Sequence, residues 1–142
     1  MSAEIISFVL KTVPVGKARP RFTRQGFAYT PKRTASFERF VKATARKAMA
    51  MRKPYGRTVA ISLTLDFFFQ IPKSWSRKKQ ERMLGKPKLS KSDLDNLEKS
   101  VLDGFNKVIY EDDANVYELI ARKKWDTENH IDITIRAEEQ SE

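Results

Sequence analysis

Residues 58–71 read TVAISLTLDFFFQI, and this stretch decides what kind of fold the chain can adopt. It is rich in β-branched and aromatic residues, and Val59, Ile61, Leu63, Leu65 and Phe67 recur at every second position. A period of two puts those five on one face of a strand and Asp66 on the other. Phe67, Phe68 and Phe69 are consecutive, so the strand must point aromatic rings to both faces of its sheet. One face is matched by the helix upstream. The other is left for a second helix or for a partner molecule.

Working outward, Pro54 and Gly56 close a helix read from Thr34 to Met51. Thr34 is its expected N-cap, and Phe37, Phe40, Val41, Thr44, Ala45, Ala48 and Met51 fall at helical spacing. Its other face carries Arg39, Lys42, Arg46 and Lys47. Before it, Lys17 to Arg33 is extended and basic, with room for a short strand at Gly26-Phe27-Ala28-Tyr29. Ile5 to Val13 alternates as an opening strand, ended by Pro14 and Gly16. Downstream come a short helix through Ser76–Leu84 and a helix from Asp93 to Asn106, with Leu94, Leu97, Val101 and Phe105 on one stripe. Val116–Trp125 and His130–Ile135 read as two closing strands. The order β-(β)-α-β-α-α-β-β is that of an α+β fold: a single domain, a mixed or antiparallel sheet and two main helices. Residues 1–137 form the expected domain, and 138–142 are expected to be a frayed acidic tail.

Composition narrows the chemistry. There is no cysteine and only one histidine, His130, so disulfides, thiolate metal sites and His-based zinc sites are excluded. What remains is carboxylates, lysines, hydroxyls and a hard metal. No stretch approaches the ~20 apolar residues of a membrane span, and the start of the chain lacks a signal-type pattern. These absences point to a soluble protein of the cytoplasm. The net charge of +10 is unevenly placed: residues 1–91 hold 22 Lys and Arg against 4 acids, and residues 92–142 hold 6 against 14. A basic block of that size is either a solvated face or the footprint of a polyanion, nucleic acid before membrane.

The acidic part is clustered. Ser92-Asp93-Leu94-Asp95-Asn96-Leu97-Glu98-Lys99 opens the second major helix, and Glu111-Asp112-Asp113 follows it. Asp at a helix start is ordinarily a cap, and Asp-rich turns are common. Lys99, four residues after Asp95, is ordinarily its ion-pair partner. The combination points further. Two carboxylates astride a helix start raise each other's pKa unless a cation neutralises them. Mg²⁺ suits such a place, because it takes one or two carboxylates plus substrate phosphate. A helix from Asp95 to Asn106 is about 18 Å long, and the seven residues that follow can span about 23 Å, so Asp112 or Asp113 has the reach to return as a further ligand. Asn106 is the expected left-handed stop. An EF-hand is excluded, since Leu97, Glu98 and Gly104 stand where ligands and the turn glycine would be needed.

These residues also carry a resemblance. Ser92 to Leu97 with Lys99, then Leu102-Asp103, then Tyr110 to Asp113, is similar to the D-x-D-N-x-x-K…D…DD pattern of RusA-like Holliday junction resolvases. Pro14 to Arg21, Tyr29-Thr30-Pro31 and Ile71 to Ser76 resemble the opening and middle segments of phage-type members. The likeness implies a small dimeric endonuclease that binds four-way DNA junctions and nicks opposed strands with Mg²⁺, for which Mn²⁺ substitutes. It implies Asp93, Asp95 and Asp113 as essential carboxylates, Lys99 as the essential lysine, and less defined roles for Asp112 and Asp103. Lys107 departs from the pattern, since relatives often place a glycine there.

Phosphate contacts are expected from the basic segments: Lys17, Arg19, Arg21, Arg24, Lys32 and Arg33, then Lys73, Arg77, Lys78 and Lys79. Trp75, Phe27 and Tyr29 are either core cover or platforms for opened bases. Two other functions compete: a non-catalytic nucleic-acid-binding module whose acids only cap, and a nuclease for flaps or duplexes.

Overall fold

A computed structural model describes residues 3–140. The chain forms β1 (Glu4–Leu10), β2 (Arg21–Phe22), β3 (Ala28–Tyr29), α1 (Lys32–Met49), β4 (Val59–Gln70), α2 (Arg77–Met83), α3 (Leu94–Phe105), a 3-10 turn (Asp113–Asn115), β5 (Val116–Asp126) and β6 (His130–Glu139). The α+β expectation holds, with a mixed four-stranded sheet ordered β1-β6-β4-β5. β4 sits inside it, antiparallel to β6 and parallel to β5.

The period-two reading of β4 is realised: Ile61, Leu63, Leu65, Phe67 and Phe69 are buried, while Asp66 on the opposite face meets Arg122 at 3.1 Å. Phe68 also points to that second face, where its ring stacks on His130. Both major helices lie on the first face. Phe37, Val41, Ala45 and Met49 of α1 and Leu97, Val101 and Phe105 of α3 share one core with β4 and β6. Among the described residues neither major helix covers the second face.

Several boundaries shift for local reasons. α1 starts two residues early, with Pro31 at the N-cap, because proline's fixed φ suits a helix entry. Thr34 is thereby inside the helix and buried, and Phe40 is exposed on the outer face. Met49 ends the helix, and Ala50 and Met51 turn out in left-handed conformations. The extended Lys17–Arg33 segment folds on itself as the β2–β3 hairpin. β6 runs past Ile135 to Glu139 because Ala60 and Val59 continue the ladder, and Gln140 adds a backbone bond to Thr58. The expected tail is thus strand as far as Glu139, and residues 141–142 lie outside the described residues.

The two closing strands are not neighbours. β4 lies between them, and residues 127–129 cross its end. Asn129 seals the crossing by accepting the Gln70 N–H through Oδ1 at 2.8 Å.

α1 and α3 touch closely at one point. A Cβ added at Gly104 would lie 2.6 Å from Val41 Cγ1 and 2.8 Å from Val41 Cβ. Val41 is fully buried and has nowhere to go. Gly104→Ala should therefore destabilise by about 1–3 kcal/mol, although alanine favours a helix by about 1 kcal/mol. A lowered urea midpoint with unchanged slope is the expected reading; a raised midpoint would show that the helices separate freely.

Candidate active site

α3 carries the acidic motif, and two separate tethers fix its start. On one side, residues 86–92 run along β5: Lys88 N–H donates to Lys123 O (3.0 Å), and Trp125 N–H donates to Lys86 O (3.0 Å). Lys123 Nζ then donates to Ser90 O at 2.7 Å and Ser92 O at 2.6 Å, gripping the backbone directly before Asp93. Lys88, only 6 % exposed, packs its ammonium on the rings of Phe69 and Trp125. Burial, with the neighbouring Lys123 charge, holds its pKa below the usual lysine value. On the other side, Lys17 N–H donates to Asn96 O (2.9 Å) and Ser100 Oγ to Val15 O (2.6 Å). Gly16 permits this approach, since a Cβ there would already touch Asn96 Cβ at 3.4 Å.

The carboxylates at the start are uncommitted. Asp93 occupies the N-cap in an extended conformation, yet its side chain makes no capping bond. Asp95 is exposed in the first turn. Among the described residues neither has a cationic partner within 4 Å, and Lys99 has no acidic one. The ordinary readings of capping and ion pairing are thus not what these side chains do. Glu98 is half-buried, and burial, followed by the charge of Asp95, pushes its carboxyl up.

Asp113 stands elsewhere. The residues expected to carry it back are taken up by a tight turn, with Lys107 N–H donating to Tyr110 O (2.8 Å) and Glu111 N–H to Tyr55 O (3.1 Å). The buried Tyr110 hydroxyl donates to Leu102 O at 2.8 Å, tying that turn to the last part of α3. Burial raises the Tyr110 pKa, and the charges of Asp113, Asp103 and Asp112 add to it. Asp112 accepts from Ala114 N–H (3.2 Å) and so caps the 3-10 turn. Among the described residues no group of three or more acidic or histidine side chains comes together to hold a metal. The expected trio of Asp93, Asp95 and Asp113 is not assembled. The left-handed residue after α3 is Lys107 (φ 68°), and Asn106 is extended.

Asp93 borders a cleft of about 660 Å³, lined also by Arg21, Arg33, Lys91, Ser92 and Asn96. The chain accordingly places exposed guanidinium and ammonium groups beside the uncommitted Asp93 carboxylate. Over residues 11–136 the sequence matches the family model described as endodeoxyribonuclease RusA. The chain belongs to the RusA family. It is also similar to the uncharacterized protein YqaN of Bacillus subtilis (strain 168), at 28% identity over 137 residues covering 94% of this chain and 96% of that one. Membership in the RusA family makes the chain a nuclease of the endodeoxyribonuclease class, with no helix among the described residues long and apolar enough to cross a membrane.

The expected phosphate contacts sort into two groups. Arg19, Arg21, Arg24, Lys32 and Arg33 are exposed, with Arg21 and Arg33 lining the cleft, and Lys73, Arg77 and Lys78 are exposed beyond the end of β4. Lys17 is not available, because its ammonium bridges Glu38 (2.6 Å) and Asp103 (3.0 Å). Burial lowers its pKa, but the hydrogen bonds to those acids outweigh that and raise it overall. Trp75 packs edge-on against Trp125 with Lys79 over its ring at 4.2 Å, so this pair forms cover. Phe27 (71 % exposed) and Tyr29 (47 %) are the reverse: they stand on the hairpin in solvent. Sequence reasoning missed Lys88 and Lys123 as the supports of the motif. A lysine in a basic run reads as exposed, and the rings that cover Lys88, those of Phe69 and Trp125, lie far from it in sequence.

Proposed function

We propose that this chain is a structure-selective endodeoxyribonuclease that resolves four-way DNA junctions by paired nicks, using Mg²⁺ or Mn²⁺ held by Asp93 and Asp95. The observation that carries the reading is that both carboxylates at the start of α3 are uncommitted, and that Asp93 lines a cleft together with Arg21, Arg33 and Lys91. Hard oxygen donors left free in this way fit an ion that keeps several waters and takes one or two carboxylates plus substrate phosphate. A divalent ion bound there supplies Lewis-acid polarisation of the phosphodiester. Arg21, Arg33 and Lys91 would seat the strand by its phosphates, which fixes position without reading sequence. Lys99 would stabilise charge developing on the phosphoryl oxygens or the departing oxygen. Asp113 enters this scheme as the third carboxylate, drawn in with substrate or a second subunit.

A gel comparing a four-way junction, a flap and a linear duplex at equal salt, with Mg²⁺ or with chelator, tests the proposal. Mg²⁺-dependent cutting that favours the junction is expected. Equal cutting of flap and junction would move the function to a general branched-DNA nuclease, and binding without cutting would leave a non-catalytic module.

Paired nicks on opposed strands call for two sites related by a two-fold axis, and one chain offers one carboxylate pair. We therefore expect a homodimer. Sedimentation at micromolar concentration in about 0.3 M salt, which shortens the reach of surface charge, should give twice the chain mass. A monomer that remains a monomer on the junction and still nicks in pairs would refute this.

A further inference from the structure

The outer face of α1 carries an unusual distribution of charge. Lys32, Ser36, Arg39, Ala43 and Arg46 form one row along the helix, and Arg33, Phe40 and Lys47 form a second beside it. All eight are exposed except for the packing of Arg39 Nη2 on Ser36 Oγ at 3.1 Å. The helix has a single acid, Glu38, and that side chain is turned inward onto Lys17. None of the five bases in the two rows has a carboxylate within 4 Å among the described residues.

Nothing in the folding of α1 asks for this. A helix N-terminus favours acids, yet α1 opens with Lys32 and Arg33 and has none in its first turn. Arg39 stands mid-helix with no opposite charge three or four residues away, and like charges at such spacings weaken a helix. Arg46 and Lys47, in the last turn, are the only two that the helix dipole explains. A solvated helix face ordinarily mixes both signs; this one does not.

The two rows begin at the cleft, since Arg33 lines it together with Asp93, and they lead away from it. From Lys32 to Lys47 the helix rises about 22 Å at ~1.5 Å per residue. That matches about six base pairs of duplex at ~3.4 Å each along one strand. The small Ser36 and Ala43 between the bases leave the face low enough for a sugar–phosphate backbone to lie close. We propose that the outer face of α1 is the cradle for a duplex arm of the substrate, holding its phosphates over about six base pairs outward from the cleft. The inference rests on the nuclease reading above and adds to it Arg39, Arg46 and Lys47, which lie outside the basic segments 17–33 and 73–79.

The test is binding of the full chain to four-way junctions whose arms differ in length, followed across a salt series. The unmodified protein should gain affinity as arms lengthen up to about six or seven base pairs past the crossover and then level off. Arg39→Glu with Arg46→Glu and Lys47→Glu should lose that gain. It should also bind a long-armed junction about tenfold or more weaker near 0.1 M salt, and reduce the slope of log K against log salt by about 2 to 3. The triple Gln variant, which only neutralises, should show the same smaller slope with a smaller loss, and it serves if the Glu variant loses helical signal. An unchanged slope and unchanged arm-length gain in a folded triple variant would overturn the inference and leave the junction-cutting proposal standing. An unmodified protein that binds no branched DNA would overturn both.

Discussion

Asp95→Asn should abolish strand cutting while leaving binding to a four-way junction intact or tighter. The side chain is exposed in the first turn of α3 and has no cationic partner within 4 Å among the described residues, so the substitution breaks no internal contact. Asparagine keeps the shape and removes one negative charge from the surface proposed to receive phosphate. Affinity for a polyanion therefore has no reason to fall. What is lost is a hard anionic oxygen, and a neutral amide is a poor replacement for it toward Mg²⁺. Because Glu98 feels the charge of Asp95, the variant also leaves Glu98 easier to ionise, an internal control that the field at the helix start has changed. Near-normal cleavage by a folded Asp95→Asn protein would remove Asp95 from the site. Asp113→Asn gives the contrast: full activity there would confine the carboxylate chemistry to the Asp93–Asp95 pair.

Lys99→Ala should slow turnover by about a hundredfold, the usual scale for removing one electrostatic stabiliser of a transition state. Lys99 lies one turn after Asp95, exposed, and free of any carboxylate within 4 Å among the described residues. Stability should hardly change, because there is no ion pair to lose. KM should also change little, since the ammonium matters most when charge develops on the phosphoryl group. Single-turnover rates with substrate saturated separate these effects. A loss confined to affinity, with the rate at saturation unchanged, would make Lys99 one more phosphate contact.

Much of this was open to reading in the sequence because it depends on periodicity. The alternation in β4 fixed which rings face the helices, and the stripe Leu97, Val101 and Phe105 fixed the buried side of α3, which in turn set Asp95 and Lys99 outward. What could not be read depends on contacts far apart in the chain. Lys17 looks like any other base in its segment until Glu38 and Asp103 are brought to it by α1 and α3. The return of Asp113 was possible by length, but length does not reveal that Tyr110 anchors the turn at Leu102. Lys107 is an intermediate case. A glycine at this place, as the resemblance implies, would suit a left-handed backbone, and that is the conformation found at this lysine.

Residues 127–129, which carry the chain over the end of β4, have a consequence for how the protein is born. β5 and β6 are joined by three residues, yet they cannot zip together as a hairpin, because their partner in the sheet is a strand made much earlier. β4 leaves the ribosome long before Val116, and translation of the interval takes on the order of seconds at ~5–20 residues per second. Through that time a twelve-residue strand containing Phe67, Phe68 and Phe69 has both backbone edges unpaired. The helix already made by then that packs on it is α1. Soluble yield should then be governed by how well the nascent strand is shielded from its neighbours, and far less by the stability of the finished sheet.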